Sequence, residues 1–140
     1  MRRIESKKEY DDLINDWIWL KLHDRSIADF CAKRLYNRIL IYESGELGLL
    51  LYRDLLSGGL TPLAFLDEQA DYHDFRCYDI PVIAPDNNKR IVEDVNAIIV
   101  AFFMSQSQRD ETLNLLRNLY DCPVIFIEDI ILELQAEINN

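Results

Sequence analysis

Cysteine, histidine and glycine are scarce in this sequence of 140 residues. The three cysteines are odd in number and widely separated, and none has the C-x-x-C spacing that indicates a zinc site or a redox pair. The two histidines, His23 and His73, lie far apart, with no cluster of cysteines and carboxylates around either. The sequence therefore predicts no metal site, and its thiols are expected to be reduced, as in a cytosol.

Positive charge and long apolar runs are also lacking. The 15 lysines and arginines face 25 aspartates and glutamates, which gives a formal net charge of −10. No basic stripe with interleaved aromatics offsets this charge, so we do not expect nucleic acid as a partner, and the terminal cluster MRRIESKK is interpreted as a solvated tail. No apolar run approaches the roughly 20 residues that cross a bilayer, and the amino terminus has charges where a signal peptide needs apolar residues. We expect a cytoplasmic protein without a membrane span.

A long helix is predicted near the amino terminus, within a helical extension over residues 1–36. The stretch SKKE at residues 6–9 fits a capping box and predicts a helix over 7–22. Its WIWL stretch distributes apolar side chains around most of the helix, so more than one side must be covered. The cover is either a second helix of the same chain or a second subunit. The second alternative predicts a homo-oligomer through Trp17 and Trp19.

A second, shorter helix is predicted after the first. Ser26 followed by Asp29 is another capping signal, and it predicts a helix that ends near residue 35. The side chains expected to face inward are Ile27, Phe30, Cys31 and Leu35.

Apolar runs and helical patterns alternate through residues 37–140, which we predict to form a Rossmann-like domain. Strands are predicted at 38–42, 62–66, 80–83, 97–102 and 124–127, and helices at 46–56, 87–92, 108–120 and 130–138. This alternation is typical of βαβ units with right-handed crossovers. We therefore predict an α/β, Rossmann-like three-layer fold with a five-stranded, mainly parallel sheet in the order 3-2-1-4-5 and two additional N-terminal helices.

The turn after the first predicted strand, YESGELG at residues 42–48, has the look of a glycine-rich dinucleotide turn. In the fingerprint G-x-G-x-x-G, the first glycine makes a tight turn, the second lets the backbone approach the pyrophosphate, and the third lets helix and strand pack closely. Gly45 and Gly48 occupy the second and third positions, and Glu43 occupies the first. Asp67 follows the second strand about twenty positions beyond Gly48, where an acid for the ribose hydroxyls is expected.

The sequence around this turn resembles the Rossmann-like domain of bacterial surface (capsular) polysaccharide biosynthesis proteins. These include relatives of nucleotide-sugar epimerases and dehydratases, and small domains beside glycosyltransferases. The resemblance spans roughly residues 38–129 and is carried by Tyr42, GELG at 45–48, Asp67, IPV at 80–82 and NAIIVA at 96–101. It implies NAD(P) or a nucleotide-sugar as cofactor, and a glycosyltransferase or another polysaccharide-biosynthesis protein as partner. The cofactor-binding residues that it implies are Glu43, Ser44, Gly45, Glu46, Gly48, Asp67 and Ala101.

Glu43 departs from that family's pattern, which has glycine at this position. Two unit charges about 4 Å apart repel by roughly 4 kcal/mol at an effective dielectric constant of about 20. A helix amino terminus stabilises an anion by only about 0.3–1 kcal/mol, or about 2 kcal/mol when partly buried. A carboxylate that points into the phosphate site would therefore exclude the ligand. Alternatively Glu43 turns to solvent, becomes protonated, or binds the free N–H groups of the next helix, and we favour as a hypothesis this last, self-filled anion site.

Catalytic residues are not recognisable in the sequence. Nucleotide-sugar epimerases and dehydratases of the short-chain type use Y-x-x-x-K, in which the lysine lowers the tyrosine pKa, and none of the seven tyrosines has a lysine four positions on. The chain also leaves no room for a substrate domain. Cys122 lacks a nearby histidine and is interpreted as a core thiol, and the acidic segment 67–74 is interpreted as an exposed loop rather than a cation site.

Three functions remain open at this point. The first is a non-catalytic or accessory Rossmann-like module with a degenerate phosphate-binding turn, which holds a nucleotide or nucleotide-sugar in polysaccharide biosynthesis. The second is a protein-interaction or dimerisation module without a small-molecule ligand. The third is the cofactor-binding subunit of an NAD(P)-dependent sugar-nucleotide oxidoreductase or epimerase.

Overall fold

The structure, a computed structural model, describes residues 2–68, 76–77, 80–85, 94–102 and 105–139. The helices in these residues are α1 (Arg2–Leu22), α2 (Ile27–Lys33), α3 (Glu46–Ser57), α4 (Gln106–Leu119) and α5 (Ile127–Asn139). The strands are β1 (Ile39–Tyr42), β2 (Ala64–Leu66), β3 (Arg76–Cys77), β4 (Ile80–Ile83), β5 (Ala97–Val100) and β6 (Val124–Phe126). The helix predicted at 87–92 and most of the predicted acidic loop lie outside the described residues.

The strands form one sheet in the order β3-β4-β2-β1-β5-β6. All neighbours pair in parallel except the two-residue β3, which pairs antiparallel to β4 at the edge. The five parallel strands therefore follow the predicted order 3-2-1-4-5, and the predicted fold class is confirmed. The strand order reverses at β1, because Tyr42 aligns with Leu66 of β2 on one side and with Val100 of β5 on the other.

Helices cover both faces of the sheet. On one face, Ile41 and Phe65 belong to a buried cluster with residues of α1, α2, α3 and α5. On the other face, Leu40 and Ile98 pack in a second cluster with Leu116 of α4. All residues of β1 and β5 are buried, as expected of central strands in a parallel sheet. Because full burial of one such aliphatic side chain contributes about 1.5–3 kcal/mol, this two-sided core is the main source of stability.

Local sequence signals place several of the helix ends. The predicted capping box at Ser26 is present, since the Ser26 hydroxyl accepts from the Asp29 N–H and the Asp29 carboxylate accepts from the Ser26 N–H, each at 3.1 Å. Ser105 begins α4 with a second capping box. α3 ends at Ser57 with Gly58 as its C-cap residue, and Gly59 then takes a φ of +83°, a left-handed conformation that glycine adopts without strain.

Two boundary predictions in the N-terminal helices are wrong. α1 begins at Arg2, so the SKKE stretch lies inside the helix and does not cap it. Arginine, lysine and glutamate are strong helix formers, and they continue the helix beyond the capping signal. Leu35 is 81% exposed and has a φ of +61°, because α2 ends at Lys33 and the chain turns there.

A buried carboxylate joins the N-terminal helices to α3. Asp54 is 5% exposed, and its Oδ2 accepts a hydrogen bond from Trp17 Nε1 at 2.9 Å. Its Oδ1 accepts one from the Ile27 backbone N–H at 2.9 Å, and Lys21 Nζ lies 3.8 Å from Oδ2. One side chain of α3 therefore anchors both α1 and the start of α2.

The two tryptophans of α1 have different surroundings. Trp17 is buried inside the chain against α3, so it is covered by a helix of the same chain. Trp19 is partly buried, and its ring centroid lies 4.1 Å from that of His23. The homo-oligomer expected from these residues stays a prediction, because the structure contains a single chain.

Removing the Asp54 carboxylate tests the anchor. Asp54→Ala leaves Trp17 Nε1 and the Ile27 N–H without this acceptor in a buried site, and each such loss costs about 1–3 kcal/mol. We expect the free energy of unfolding, measured by urea titration and circular dichroism, to fall by about 2–4 kcal/mol. The matched control is Asp110→Ala in α4, whose exposed carboxylate accepts from the Gln106 side chain and whose loss costs less than about 0.5 kcal/mol. Equal losses in the two variants would contradict the anchor.

Candidate functional site

The turn between β1 and α3 keeps the backbone of the glycine fingerprint although the first glycine is absent. Glu43 has a φ of +87°. Glycine adopts this left-handed region freely, whereas other residues do so at a cost of about 1–2 kcal/mol. The Glu43 N–H donates to the Leu66 carbonyl at 2.7 Å, which ties the turn to the end of β2. A glutamate therefore makes the tight turn that the fingerprint assigns to glycine.

The other two glycines have the surroundings that the fingerprint requires. A Cβ atom at Gly48 would lie 2.2 Å from the Glu43 carbonyl oxygen, so only glycine lets α3 approach the turn this closely. A Cβ atom at Gly45 would have no neighbour within 4 Å. Gly45 is the N-cap residue of α3 and supplies no side-chain capping bond. The space beside Gly45 on the side of a Cβ atom is therefore free of described atoms.

Three carboxyl groups, those of Glu43, Asp67 and Glu68, gather beside this turn at the ends of β1 and β2. The Ser44 hydroxyl donates to Asp67 Oδ2 at 2.7 Å, and the Tyr42 hydroxyl donates to Glu68 Oε1 at 3.1 Å. The Asp67 N–H donates to the last carbonyl of β4 at 2.9 Å, which fixes its position in the sheet. The acid predicted for the ribose therefore lies at the turn and already accepts a hydrogen bond from it.

The acidic surroundings change the protonation of Glu43. Burial of its carboxyl group is the main cause, and the charges of Asp67 and Glu68 add to it, so that its pKa rises from 4.5 to about 7. Burial and the Glu68 carboxylate also raise the pKa of the Tyr42 hydroxyl. The Glu43 carboxyl group therefore titrates near neutral pH.

The hypothesis of a self-filled anion site is wrong for the residues described here. Hydrogen bonds from the first turn of α3 would lower the pKa of Glu43, whereas its burial and its acidic neighbours raise it. The charged groups that shift the pKa of Glu43 are Asp67 and Glu68, and no N–H group of that turn is among the groups that shift it. Of the alternatives considered from the sequence, protonation is the one that these surroundings favour.

Two of the predicted site residues have other contacts. The Glu46 carboxylate lies near the Tyr10 hydroxyl of α1, and the pKa of Tyr10 is raised by burial and by this carboxylate. Ala101 is 1% exposed, and its N–H donates to the Tyr42 carbonyl at 3.1 Å, which extends the pairing of β1 and β5. The predicted residues that the structure brings together are Glu43, Ser44, Gly45, Gly48 and Asp67.

Tyr42 and Glu68 belong to this site although sequence reasoning did not include them among its residues. Tyr42 ends β1, and Glu68 is the second residue after β2. Because the carboxyl ends of neighbouring parallel strands lie side by side, a search for polar side chains at the end of each strand could have found this pair.

The described part of the chain offers no support for metal or thiol chemistry. No group of three or more histidine, cysteine, aspartate or glutamate side chains in it could hold a metal ion. Burial and the Asp54 carboxylate raise the pKa of Cys31 to about 12, and burial raises the pKa of Cys122. Neither thiol is therefore activated as a nucleophile. None of the helices described is both long and apolar enough to cross a bilayer.

Comparison with known proteins adds no family to this description. No protein-family profile, curated protein or solved structure matches the chain. The cofactor and partner implied by the sequence resemblance therefore stay predictions, whereas the α/β fold and its strand order are features of the structure.

The raised pKa of Glu43 predicts a pH-dependent stability. Between about pH 4.5 and pH 7 the folded state keeps a proton that the unfolded state releases, so the free energy of unfolding falls as the pH rises through this window. The full shift corresponds to about 3 kcal/mol, which partial exposure reduces to about 1–2 kcal/mol. The side chain of Glu43→Gln cannot titrate. We therefore expect the free energy of unfolding of this variant to exceed that of the wild type by about 1–2 kcal/mol at about pH 8, and to equal it below about pH 4.5.

Urea unfolding at a series of pH values measures this difference. Glu111→Gln, at an exposed position of α4, is the matched control and should parallel the wild type. If the difference in the free energy of unfolding between Glu43→Gln and the wild type does not change with pH, the raised pKa of Glu43 is contradicted.

The two glycines of the turn should respond differently to a methyl group. Gly48→Ala forces the Cβ atom against the Glu43 carbonyl, and we expect the free energy of unfolding to fall by more than about 2 kcal/mol. The methyl group of Gly45→Ala meets no described atom. Its loss in the free energy of unfolding should stay near roughly 1 kcal/mol, because alanine is a weaker N-cap residue than glycine. Differential scanning calorimetry compares the two variants, and equal losses would contradict the close packing assigned to Gly48.

Proposed function

We propose that this chain is a non-catalytic binding module of the Rossmann type, whose ligand is a nucleotide or nucleotide-sugar at the β1–α3 turn. The observation that carries the proposal is the turn itself. Glu43 holds a glycine-like backbone conformation, Gly45 leaves the approach to α3 open, and Gly48 permits the close packing. Strained backbone of this kind is concentrated at ligand-binding and active sites, because the rest of the fold must maintain it at a cost.

The residues of the turn have complementary tasks in this proposal. A diphosphate lies over Gly45, where the N–H groups of the first turn of α3 donate to its oxygens. Asp67 accepts from ribose hydroxyls in place of the Ser44 hydroxyl that it accepts from in the absence of ligand.

Glu43 makes the affinity of this site depend on pH. When its carboxyl group is protonated, the site carries one negative charge fewer and gains a donor for a phosphate oxygen. When it is ionised, repulsion of roughly 4 kcal/mol at about 4 Å opposes a phosphate, which is nearly three decades in affinity. A pKa of about 7 places this change near neutral pH.

A binding role without catalysis agrees with the groups present. The sequence has no Y-x-x-x-K, and the thiols of Cys31 and Cys122 have raised pKa values. A cofactor-binding subunit of an NAD(P)-dependent oxidoreductase or epimerase would need its substrate residues from another chain. The link to bacterial polysaccharide biosynthesis, with a glycosyltransferase as partner, enters the proposal through sequence resemblance alone.

A protein-interaction module is the second candidate, and one observation favours it. Ile18 of α1 and Leu50 of α3 are 53% and 36% exposed, and both line one apolar groove between these helices. Exposed apolar side chains that line one groove are a feature of protein interaction sites. This function does not need a small-molecule ligand.

Isothermal titration calorimetry with NAD, NADP and UDP-glucose tests the nucleotide proposal. Titrations at about pH 6 and about pH 8 lie on either side of the Glu43 pKa. For at least one ligand we expect the wild type to bind up to about tenfold more weakly at the higher pH, because a group with a pKa of about 7 is mostly protonated at pH 6 and mostly ionised at pH 8.

Three variants make this test specific to the turn. Glu43→Gln and Glu43→Gly should bind with similar affinity at both pH values, because neither can ionise at this position. Asp67→Asn should bind more weakly than the wild type at the lower pH if the ribose lies against it. Absence of binding for all three ligands to the wild type and to both Glu43 variants would contradict the proposal and leave the interaction function.

A further inference from the structure

α1 has two apolar stripes, and its own chain covers only one of them fully. Leu13, Trp17 and Leu20 are at most 6% exposed and pack in the core cluster beneath the helix. Ile14 and Ile18 lie on a second stripe, where Ile14 is partly buried against the same core and Ile18 is 53% exposed. The first stripe is therefore covered by the chain, whereas the second is covered only in part.

The partly covered stripe borders a groove between α1 and α3. The two helices run side by side in the same direction, since Tyr10 of α1 lies beside Glu46 at the start of α3 and Trp17 hydrogen-bonds Asp54 near its end. The groove has a volume of about 340 Å³. Its floor is formed by Trp17 and Asp54, and its walls by Ile14, Ile18, Lys21, Leu50, Arg53 and Ser57.

Charged residues flank the apolar ones along this stripe in a particular order. Asp11, Ile14, Ile18 and Lys21 follow one another at spacings of three and four residues, so they lie on one side of the helix. Asp11 and Lys21 are both exposed at its two ends. When a second copy of this helix is laid against the first in the opposite direction, the acidic end of each copy faces the basic end of the other. The apolar residues of the two copies then face each other.

We propose that two copies of this chain pair about a two-fold axis through this face. The α1 helices lie antiparallel, and Ile18 of each copy enters the groove of the other. Asp11 then lies opposite the partner subunit's Lys21, and the symmetry repeats this pair at the other end of the contact. The apolar contact supplies the affinity, because the net charge of −10 on each chain opposes association, and the two charge pairs set the orientation.

A second copy fits this face better than an unrelated protein, because the face is self-complementary. The acidic end, the basic end, the exposed Ile18 and the groove that receives it are all present on the same chain. The inference gives the interaction function proposed above its partner, and it rests on that function rather than on nucleotide binding.

Substitution of Ile18 tests the apolar contact. Sedimentation equilibrium of the wild type should show a monomer–dimer equilibrium, and Ile18→Asp, which places a carboxylate in both halves of the symmetric contact, should be monomeric at the same concentrations. The matched control is Leu132→Asp, which changes another strongly exposed aliphatic side chain of a helix, on α5 outside the groove, and should dimerise as the wild type does. A monomeric wild type, or a dimer that survives Ile18→Asp, would overturn the proposal.

Charge reversal tests the antiparallel orientation. In Asp11→Lys and in Lys21→Glu, both pairs become repulsive, so each variant alone should dimerise about tenfold more weakly or worse. When the two variants are mixed, both pairs are attractive again, and native mass spectrometry should detect the mixed dimer in preference to either homodimer. Dimers that form equally well in all three samples would contradict this orientation.

The folding of each variant is checked by thermal unfolding, because Lys21 lies beside the buried Asp54 carboxylate. If Lys21→Glu does not fold, the comparison of Ile18→Asp with Leu132→Asp decides the proposal. A failed nucleotide titration leaves the outcome of these experiments unchanged, because the groove does not include the residues of the β1–α3 turn.

Discussion

The close approach of the Glu43 carbonyl to Gly48 is the contact on which the candidate site depends. It requires a left-handed residue at the end of β1 and a residue without a side chain in the first turn of α3, and the chain meets the first requirement with a glutamate. The same approach brings the Glu43 side chain to the carboxyl edge of the sheet, beside acids that follow β2. One backbone constraint therefore determines both the shape of the turn and the chemistry of the group placed in it.

α3 connects this site to the rest of the molecule. At its amino end Glu46 lies near the Tyr10 hydroxyl of α1, and near its carboxyl end Asp54 accepts from Trp17 of α1 and from the first residue of α2. The N-terminal helices are thus held by polar contacts with one helix of the α/β core, in addition to their apolar packing. The carboxylates that position α1 also align it with α3, and this alignment forms the groove in which we place the second copy.

Much of the fold follows from patterns that are local in the sequence. β1 and β5 consist of apolar residues that are buried on both faces, and such runs between turn residues are readily recognised. The end of α2 was harder to predict, because Leu35 is an apolar residue whose exposure results from the turn that follows the helix. The contact of Trp17 with Asp54 joins residues 37 positions apart, so no local pattern of either helix reports it.

The candidate site was likewise predictable only where it depends on local sequence patterns and strand order. The glycine spacing and the acid after β2 placed Glu43, Ser44 and Asp67 together correctly, because both depend on the strand order. The protonation of Glu43 could not be derived from spacing, since it depends on how deeply the side chain is buried and on acids that come from the next strand of the sheet. For the same reason the hypothesis of a self-filled anion site was reasonable from the sequence and wrong in the structure.

The partly buried carboxyl group of Glu43, in the position of a fingerprint glycine, exchanges its proton near neutral pH. Carbon-13 NMR of the glutamate side-chain carboxyls, with the Glu43 signal assigned from its loss in Glu43→Gln, measures this titration directly. We expect a midpoint at about pH 7. A midpoint near the ordinary glutamate pKa of about 4.3 would contradict it.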